Sequence, residues 1–327
     1  MQEEVDILLT TYNTETEYLK QQIESILNQS FLDFKLLISD DASTNKEIRT
    51  ILERYQEQDN RIILYRQEKN LGYNKNFEFL LKQANAKYIM FADHDDVWYP
   101  RKVEKSVEKI KKENVDLVYC NAHQVNVNGE IIQQNYFKYK NVPLIYGKDK
   151  LAISRCVGIG CSQIITDTVR DKMLPFTDEV IAHDWLAAFI ANEGKGIAYI
   201  EEPLFGYRLH NANVFGGRNL AQNLSKWKEE NGTNYQSYSK YRKEKVIEKA
   251  YLEGAKMCLS YTRDSENKKF LENIIKYYES LKKSQYINIH IFQYFRFLAG
   301  RNLTKKMVKE MMIFHLPILG YLIFAFK

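Results

Sequence analysis

An α/β fold with a mainly parallel sheet is predicted by three features of the sequence. From Val5 to about Cys120, short β-rich runs alternate with amphipathic stretches of helical period. Polar side chains collect where those runs end, and beyond Asn219 the composition shifts toward Lys, Glu, Tyr and helix formers. The runs are VDILLTTYN, FKLLISDD, RIILYR, KYIMFADHDD and VDLVYC.

Each run is followed by a segment able to return the chain to the start of the next strand. Leu19, Ile23, Ile26 and Leu27 recur at helical spacing after the first, and Thr14 with Glu17 has the pattern of a capping box. Helices are expected over Asn45 to Gln56, Asn74 to Asn85 and Val103 to Lys112. Between Asn121 and about Gly217 the pattern is mixed, with a strand expected at Gly160 to Thr166 and a helix across Asp184 to Asn192. Residues 1–217 therefore read as the α/β domain and 218–327 as a helical region.

The chain of 327 residues with 45% hydrophobic content can bury a substantial core. Its formal charge of +5 is the small difference between 47 basic and 42 acidic residues, so it does not imply nucleic acid. Cys120, Cys156, Cys161 and Cys258 lack the paired spacing of a zinc site. No secretory signal pattern precedes the first apolar run, so the cytosol is the expected compartment. The final run MMIFHLPILGYLIFAFK is interrupted by His315 and Pro317, which argues against a straight span.

The chemistry concentrates at strand ends. Thr10, Thr11, Tyr12 and Asn13 follow the first strand, Ser39, Asp40 and Asp41 the second, and FADHDDVWYP places Asp93, Asp95 and Asp96 behind the fourth. In open α/β sheets the carboxyl ends of strands line the ligand crevice, so these clusters are expected to converge. Three carboxylates in four residues repel one another unless hydrogen bonds, solvent or a cation offset the repulsion. Asp93-x-Asp95 suits Mg²⁺ or Mn²⁺, and turns or helix caps account for such pairs equally simply. Strand-like alternation aims His94 away from the two aspartates, with Asp96 supporting them from behind.

The ordered set VDILLTTYN, SDDAST, NLGYNKNF, DHDDVW and HDW resembles family 2 glycosyltransferases over about residues 4 to 217. That resemblance implies a GT-A, Rossmann-like fold and inverting transfer of a sugar from a nucleoside diphosphate donor to an acceptor hydroxyl. It implies that Asp41 accepts the imide N–H of a uracil or thymine ring, with Thr11 and Tyr12 walling the base and Asn13 beside them. Asp40 and Asp41 also suit a plain cap for the following helix. Asn70, Gly72, Lys75 and Asn76 form a glycine-bearing turn into a helix whose backbone donors and Lys75 would face the phosphates, and a plain helix entry accounts for the same residues. Asp93 is similar to the carboxylate that contacts ribose or the metal shell, and Asp95 to the direct ligand of a divalent metal.

Asp184 matches the catalytic base, which takes the acceptor proton, and it equally suits a helix cap. His210 resembles a late histidine that closes over the diphosphate or completes the metal shell, with Arg208 adding charge. Gly160, Cys161, His183, Trp185 and Arg208 are the expected sugar and acceptor pocket, in the manner of rhamnosyltransferase-like members of polysaccharide synthesis. Two positions depart from the family's common pattern: Ala42 stands where a glycine is usual and Thr10 where a proline often ends the strand. The Gln-x-x-Arg-Trp motif of processive synthases is lacking.

The expected partners are a nucleotide diphosphate sugar, dTDP- or UDP-linked, and a glycan acceptor carried on polyprenyl diphosphate. The basic, aromatic tail 282–327 suits either a helix lying on an anionic membrane surface or a helix packing on the domain or on a second copy in a homodimer. Two other functions fit an α/β chain: a non-catalytic nucleotide-sugar-binding scaffold, against which the intact aspartates argue, and a nucleotidyltransferase. TTYNTETE lacks the glycine- and basic-rich loop that the last requires.

Overall fold

A computed structural model describes residues 4–140, 144–149, 152–153, 156–210, 227–232, 235–241 and 251–283. The chain divides into two compact units, Met1–Leu209 and His210–Lys327. The first holds one sheet of nine strands in the order β3-β2-β1-β4-β8-β6-β9-β5, with β7 paired to β6. The strands are β1 Val5–Thr11, β2 Phe34–Asp40, β3 Ile62–Arg66, β4 Tyr88–Asp93, β5 Val97–Trp98, β6 Leu117–Val125, β7 Ile131–Gln133, β8 Gln163–Thr166 and β9 Ile197–Arg208.

Strands β3, β2, β1 and β4 are parallel neighbours, and every residue of β1 is buried. A strand covered on both faces needs a continuous apolar run rather than alternation, which VDILLTT supplies. Antiparallel β8 sits between β4 and β6, so β4 and β6 point the same way and the sheet is mixed. β9 then runs parallel to β6.

Helices α1 Thr16–Leu27, α2 Lys46–Gln58, α3 Tyr73–Gln83 and α4 Lys102–Glu113 connect the first strands. Each buries a stripe at helical spacing: Leu19, Ile23 and Ile26 on α1, and Val103, Val107 and Ile110 on α4. α2 is capped by the Asn45 side chain, which accepts from Glu47 N at 2.9 Å. The capping box expected from Thr14 is not formed: the N-cap of α1 is Glu15, without a side-chain cap bond.

Helices α5 Tyr136–Lys140, α6 Asp167–Met173 and α7 His183–Glu193 complete the unit. Two expectations shift. Residues Gly160–Ser162 form a 3₁₀ turn, and the strand expected from Gly160 begins at Gln163. β9, the longest strand at 12 residues, carries the solvent-facing stretch Glu201-Glu202-Pro203 in its middle, which hides it from pattern reading. In the second unit, α8 Tyr235–Tyr241, α9 Glu253–Tyr261 and α10 Ser265–Lys283 are described. Tyr251 and Tyr278 pack there with ring centroids 5.5 Å apart, and Leu271 and Met257 are buried. The tail from 284 to 327 lies outside the described residues.

Candidate active site

Sheet register brings the polar strand ends into one row: Thr10 of β1 pairs with Asp93 of β4, and Thr11 with Asp40 of β2. Thr11 is buried and Tyr12, beyond it, is 44% exposed at the crevice. Asn13 adopts a left-handed conformation (φ 45°) and its side-chain oxygen accepts from Thr44 N at 2.9 Å and Asn45 N at 3.3 Å. It thereby ties the end of β1 to the approach of α2.

The pair Asp40-Asp41 divides its work. Asp40 accepts from Ser43 N at 3.1 Å, the turn-capping role. Asp41 is buried, and its two carboxylate oxygens accept from Leu71 N (2.7 Å) and Gly72 N (2.9 Å), while Asn70 Nδ2 donates to its carbonyl at 3.3 Å. The NLGYN loop is thus folded onto Asp41, and Gly72, at φ +80°, supplies the backbone conformation the loop needs. Lys75 turns from this loop to the buried Glu78, which it meets at 2.9 Å alongside Lys82 at 2.7 Å. Its ammonium meets a carboxylate while its side chain stays 48% exposed.

At the acidic turn, one ligand atom each from Asp93, Asp96 and Cys161 lies within 4.8 Å of the others. Burial, followed by the charge of Asp95, pushes the Asp93 carboxyl up to about 6. The fully buried Asp96 is raised well above the carboxylate range by the same two causes, and its Oδ2 has no protein partner. Burial also raises the Cys161 thiol well above its ordinary value, so it stays protonated. His94 Nδ1 lies 3.1 Å from the Thr10 carbonyl oxygen and ties the turn to β1.

Arg208 is placed behind this turn. Fully buried, it donates from Nε to the Asp95 carbonyl (2.8 Å), from Nη1 to Val127 O (2.7 Å) and from Nη2 to Gln21 Oε1 (2.7 Å), while its backbone N–H reaches Asp96 Oδ1 at 3.1 Å. A guanidinium with its fork spent on carbonyls fixes the backbone of the acidic turn and does not line a sugar pocket. Sequence inspection missed a second buried cation. Lys102 donates from Nζ to Cys161 O at 2.5 Å and stands 3.3 Å from the Trp98 ring centroid; burial pulls its ammonium down to about 8. Its place on the inward stripe of α4, one turn before Ser106, was the available signal.

Facing the acidic turn, Asp184 in the first turn of α7 is half-buried, accepts from Trp185 N at 2.8 Å and adds its charge to those acting on Asp93. Its backbone is held by Gln163 Nε2, which donates to Asp184 O at 3.2 Å. A β-carbon on Gly160 would lie 2.7 Å from His183 Nε2 and 3.6 Å from Asp184 Cβ, so the 3₁₀ turn rests directly on the start of α7. His183 and Trp185 are themselves buried; the His183 ring packs 4.1 Å from Phe77 and 4.8 Å from Phe91, and burial lowers its pKa to about 4. His210 is the first residue of the second unit.

The loop at Asp41 and the helix bearing Asp184 are linked by two residues unread in the sequence. Tyr73 donates its hydroxyl to Ile181 O at 2.8 Å. Asn74 accepts from His183 N at 3.1 Å and donates to Val180 O at 3.3 Å. Asn74 therefore caps α7 from a neighbouring helix, a role that the Ala182 N-cap cannot fill.

Residues 6–173 match the family model of glycosyl transferase family 2. An uncharacterized glycosyltransferase of Methanocaldococcus jannaschii is 30% identical over 67% of this chain and 76% of its own length. A dTDP-rhamnosyl transferase of Shigella flexneri is 27% identical over 64% of this chain and 73% of its own. An Escherichia coli enzyme named as a UDP-Glc:alpha-D-GlcNAc-diphosphoundecaprenol beta-1,3-glucosyltransferase is 28% identical over 59% and 72%. Among solved structures, Staphylococcus aureus TarS 1-349 in complex with UDP-GlcNAc aligns with a TM-score of 0.56 at 16% identity, covering 95% of this chain and 79% of that one. A mannosyltransferase of Pyrobaculum calidifontis in complex with GDP-Man and Mn²⁺ aligns at 0.54 and 15%, covering 99% and 86%. At those identities the likeness is one of fold.

Proposed function

The chain belongs to glycosyl transferase family 2 and is a glycosyltransferase with a GT-A fold, and on that premise we propose that it transfers a hexose, rhamnose foremost, from a dTDP- or UDP-sugar to a glycan hydroxyl with inversion. The acceptor is a growing cell-surface glycan carried on polyprenyl diphosphate, the linkage named for one relative. The enzyme works at the inner face of the cell membrane, with the tail 282–327 as one contact.

The observation that carries this reading is the pairing of two carboxylate stations. Asp93 ends β4 and Asp184 opens α7, and the 3₁₀ turn Gly160–Ser162 meets both: Cys161 offers a ligand atom within 4.8 Å of one from Asp93, and a β-carbon on Gly160 would lie 3.6 Å from Asp184 Cβ. A single displacement needs this division: one station beside the departing diphosphate and one base on the acceptor side. As the acceptor oxygen bonds to the anomeric carbon, the bond from that carbon to the diphosphate oxygen breaks and the acceptor proton passes to the Asp184 carboxylate. Asp41 holds the loop 70–74 with one lone pair of each oxygen, and a second remains on each for the imide N–H of a base set against Thr11 and Tyr12.

The acidic turn fits a hard divalent cation. Its carboxylates repel one another, Asp96 Oδ2 is buried without a protein partner, and the protonated Cys161 thiol is a poor competitor for such an ion. Asp93 and Asp95 would hold Mn²⁺ or Mg²⁺, and the ion would supply positive charge to the departing diphosphate. Arg208 and Lys102 support these residues from within.

The test is a panel of dTDP- and UDP-sugars with Mn²⁺ or Mg²⁺, following nucleoside diphosphate release together with thermal shift. Asp184→Asn is expected to lose about 10²- to 10⁴-fold in transfer while the donor still raises the melting temperature. Full transfer by Asp184→Asn, or by Asp95→Ala in excess chelator, would overturn the mechanism.

A further inference from the structure

The segment after β6 differs from the rest of the first unit in what it shows to solvent. Ile131 and Ile132 on β7 are 50% and 54% exposed, Tyr139 on α5 54%, Leu144 53% and Tyr146 59%. Their neighbours in sequence are anchored. Phe137 packs 6.0 Å from Tyr119 and 6.1 Å from Tyr199, Ile145 N donates to the Tyr119 hydroxyl at 2.9 Å, and Tyr146 meets the edge of Tyr199 at 6.5 Å. α5 and residues 144–149 thus sit on one aromatic base, and that seating turns Tyr139, Leu144 and Tyr146 outward.

Charge follows the same stretch. Lys138, next to Tyr139 in sequence, and Lys148, two residues after Tyr146, are exposed. From Tyr136 to Lys150 the sequence carries Lys138, Lys140, Lys148 and Lys150 against one acid, Asp149. The patch also borders the active site: Tyr136, which opens α5, packs 5.2 Å from Tyr207, and both rings feel the charge of Asp96.

We propose that this rim, formed by Lys138, Tyr139, Leu144, Tyr146 and Lys148, docks the catalytic unit onto an anionic bilayer surface. Ammonium groups among tyrosine and aliphatic side chains match lipid phosphates above an acyl boundary, where tyrosine rings settle at headgroup level. A second copy of the chain on a two-fold axis would bring lysines against lysines. The inference rests on the lipid-carried acceptor, since a rim beside the acidic turn at membrane height presents such a substrate to Asp184.

Full-length Tyr146→Trp is mixed with vesicles of phosphatidylglycerol and phosphatidylcholine, and separately with phosphatidylcholine alone, with unsubstituted protein as the emission background. The expected result is a blue shift of the new indole and its quenching by brominated acyl chains, on anionic vesicles only. Lys138→Glu/Lys148→Glu is expected to weaken sedimentation with those vesicles about tenfold or more, and to leave donor turnover in solution unchanged. An unquenched indole on protein that still sediments overturns the proposal, because another part of the chain then makes the contact. So does an indole that responds to a soluble glycan or to protein concentration and not to vesicles. Loss of donor turnover in the unsubstituted protein would instead strike at the transferase reading, while the vesicle arms still decide the docking surface.

Discussion

Nε2 of His183 lies 2.7 Å from where a β-carbon on Gly160 would stand, so the turn beside the acidic cluster and the helix carrying the base share one contact with no room for a methyl group. Gly160→Ala must push the ring into Phe77 and Phe91 or lift the turn from α7. The expected cost is about 1–3 kcal/mol in chemical denaturation, with transfer reduced as well. His183→Ala opens the space, so the double variant is expected to lose less than the sum of the two single losses. Strict additivity would show that the contact carries no strain.

The same histidine sets an acid limit. Its pKa is about 4 in the folded chain against 6.5 ordinarily, so the folded state binds fewer protons between those values. Stability from this group is complete above pH 6.5 and declines as pH falls toward 4, by about 3 kcal/mol in all. Asp93, raised to about 6, acts in the opposite sense and loses stability as pH rises from 3.8 to 6. Comparing His183→Gln with the unsubstituted chain across pH 4–7 removes the shared Asp93 contribution. The variant is expected to show a flatter acid limb in urea midpoints.

Ala42 holds φ at +61°, a conformation that costs an L-residue with a β-carbon about 1 kcal/mol or more. Ala42→Gly is therefore expected to raise stability by about 0.5–1 kcal/mol, the relief of strain outweighing the added freedom of the unfolded chain. A melting temperature that falls would show that the β-carbon makes a compensating contact.

Asn74 accepts from His183 N and donates to Val180 O, so it fixes where α7 begins. Asn74→Ala is expected to lower kcat for transfer about tenfold, with the donor KM moving less, since the base is displaced and the nucleotide wall is untouched. Asn74→Asp keeps the acceptor for His183 N and is expected to recover part of the rate. Equal losses in the two variants would mean that the Val180 bond is the one that matters.

Much of the fold was legible because the first half of the chain speaks in runs that are hydrophobic throughout. VDILLTT can be nothing but a doubly covered strand, and the stripes of α1 and α4 match their buried faces. β9 was not legible, because its middle faces solvent and breaks the pattern. The acidic turn could be read from charge density alone, since three aspartates in four residues need a reason to be together. The fates of Arg208, Lys75 and His183 could not. Each is a residue type that serves a ligand or a structural contact equally well, and the choice depends on what lies across the fold.

The sequence by itself determined the alternation of strands and helices through its first half, the polar row at the strand ends and the family, because these follow from local period and ordered motifs. Tertiary structure decided which polar groups remain for a substrate. Arg208 is bound to Asp95 and Val127 and Lys102 to Cys161, while Asp41 holds the Leu71–Gly72 backbone and keeps a second lone pair on each oxygen, all pairings between residues far apart in the chain. A buried donor or acceptor must be satisfied where it lies, and its partner is fixed by packing rather than by sequence spacing.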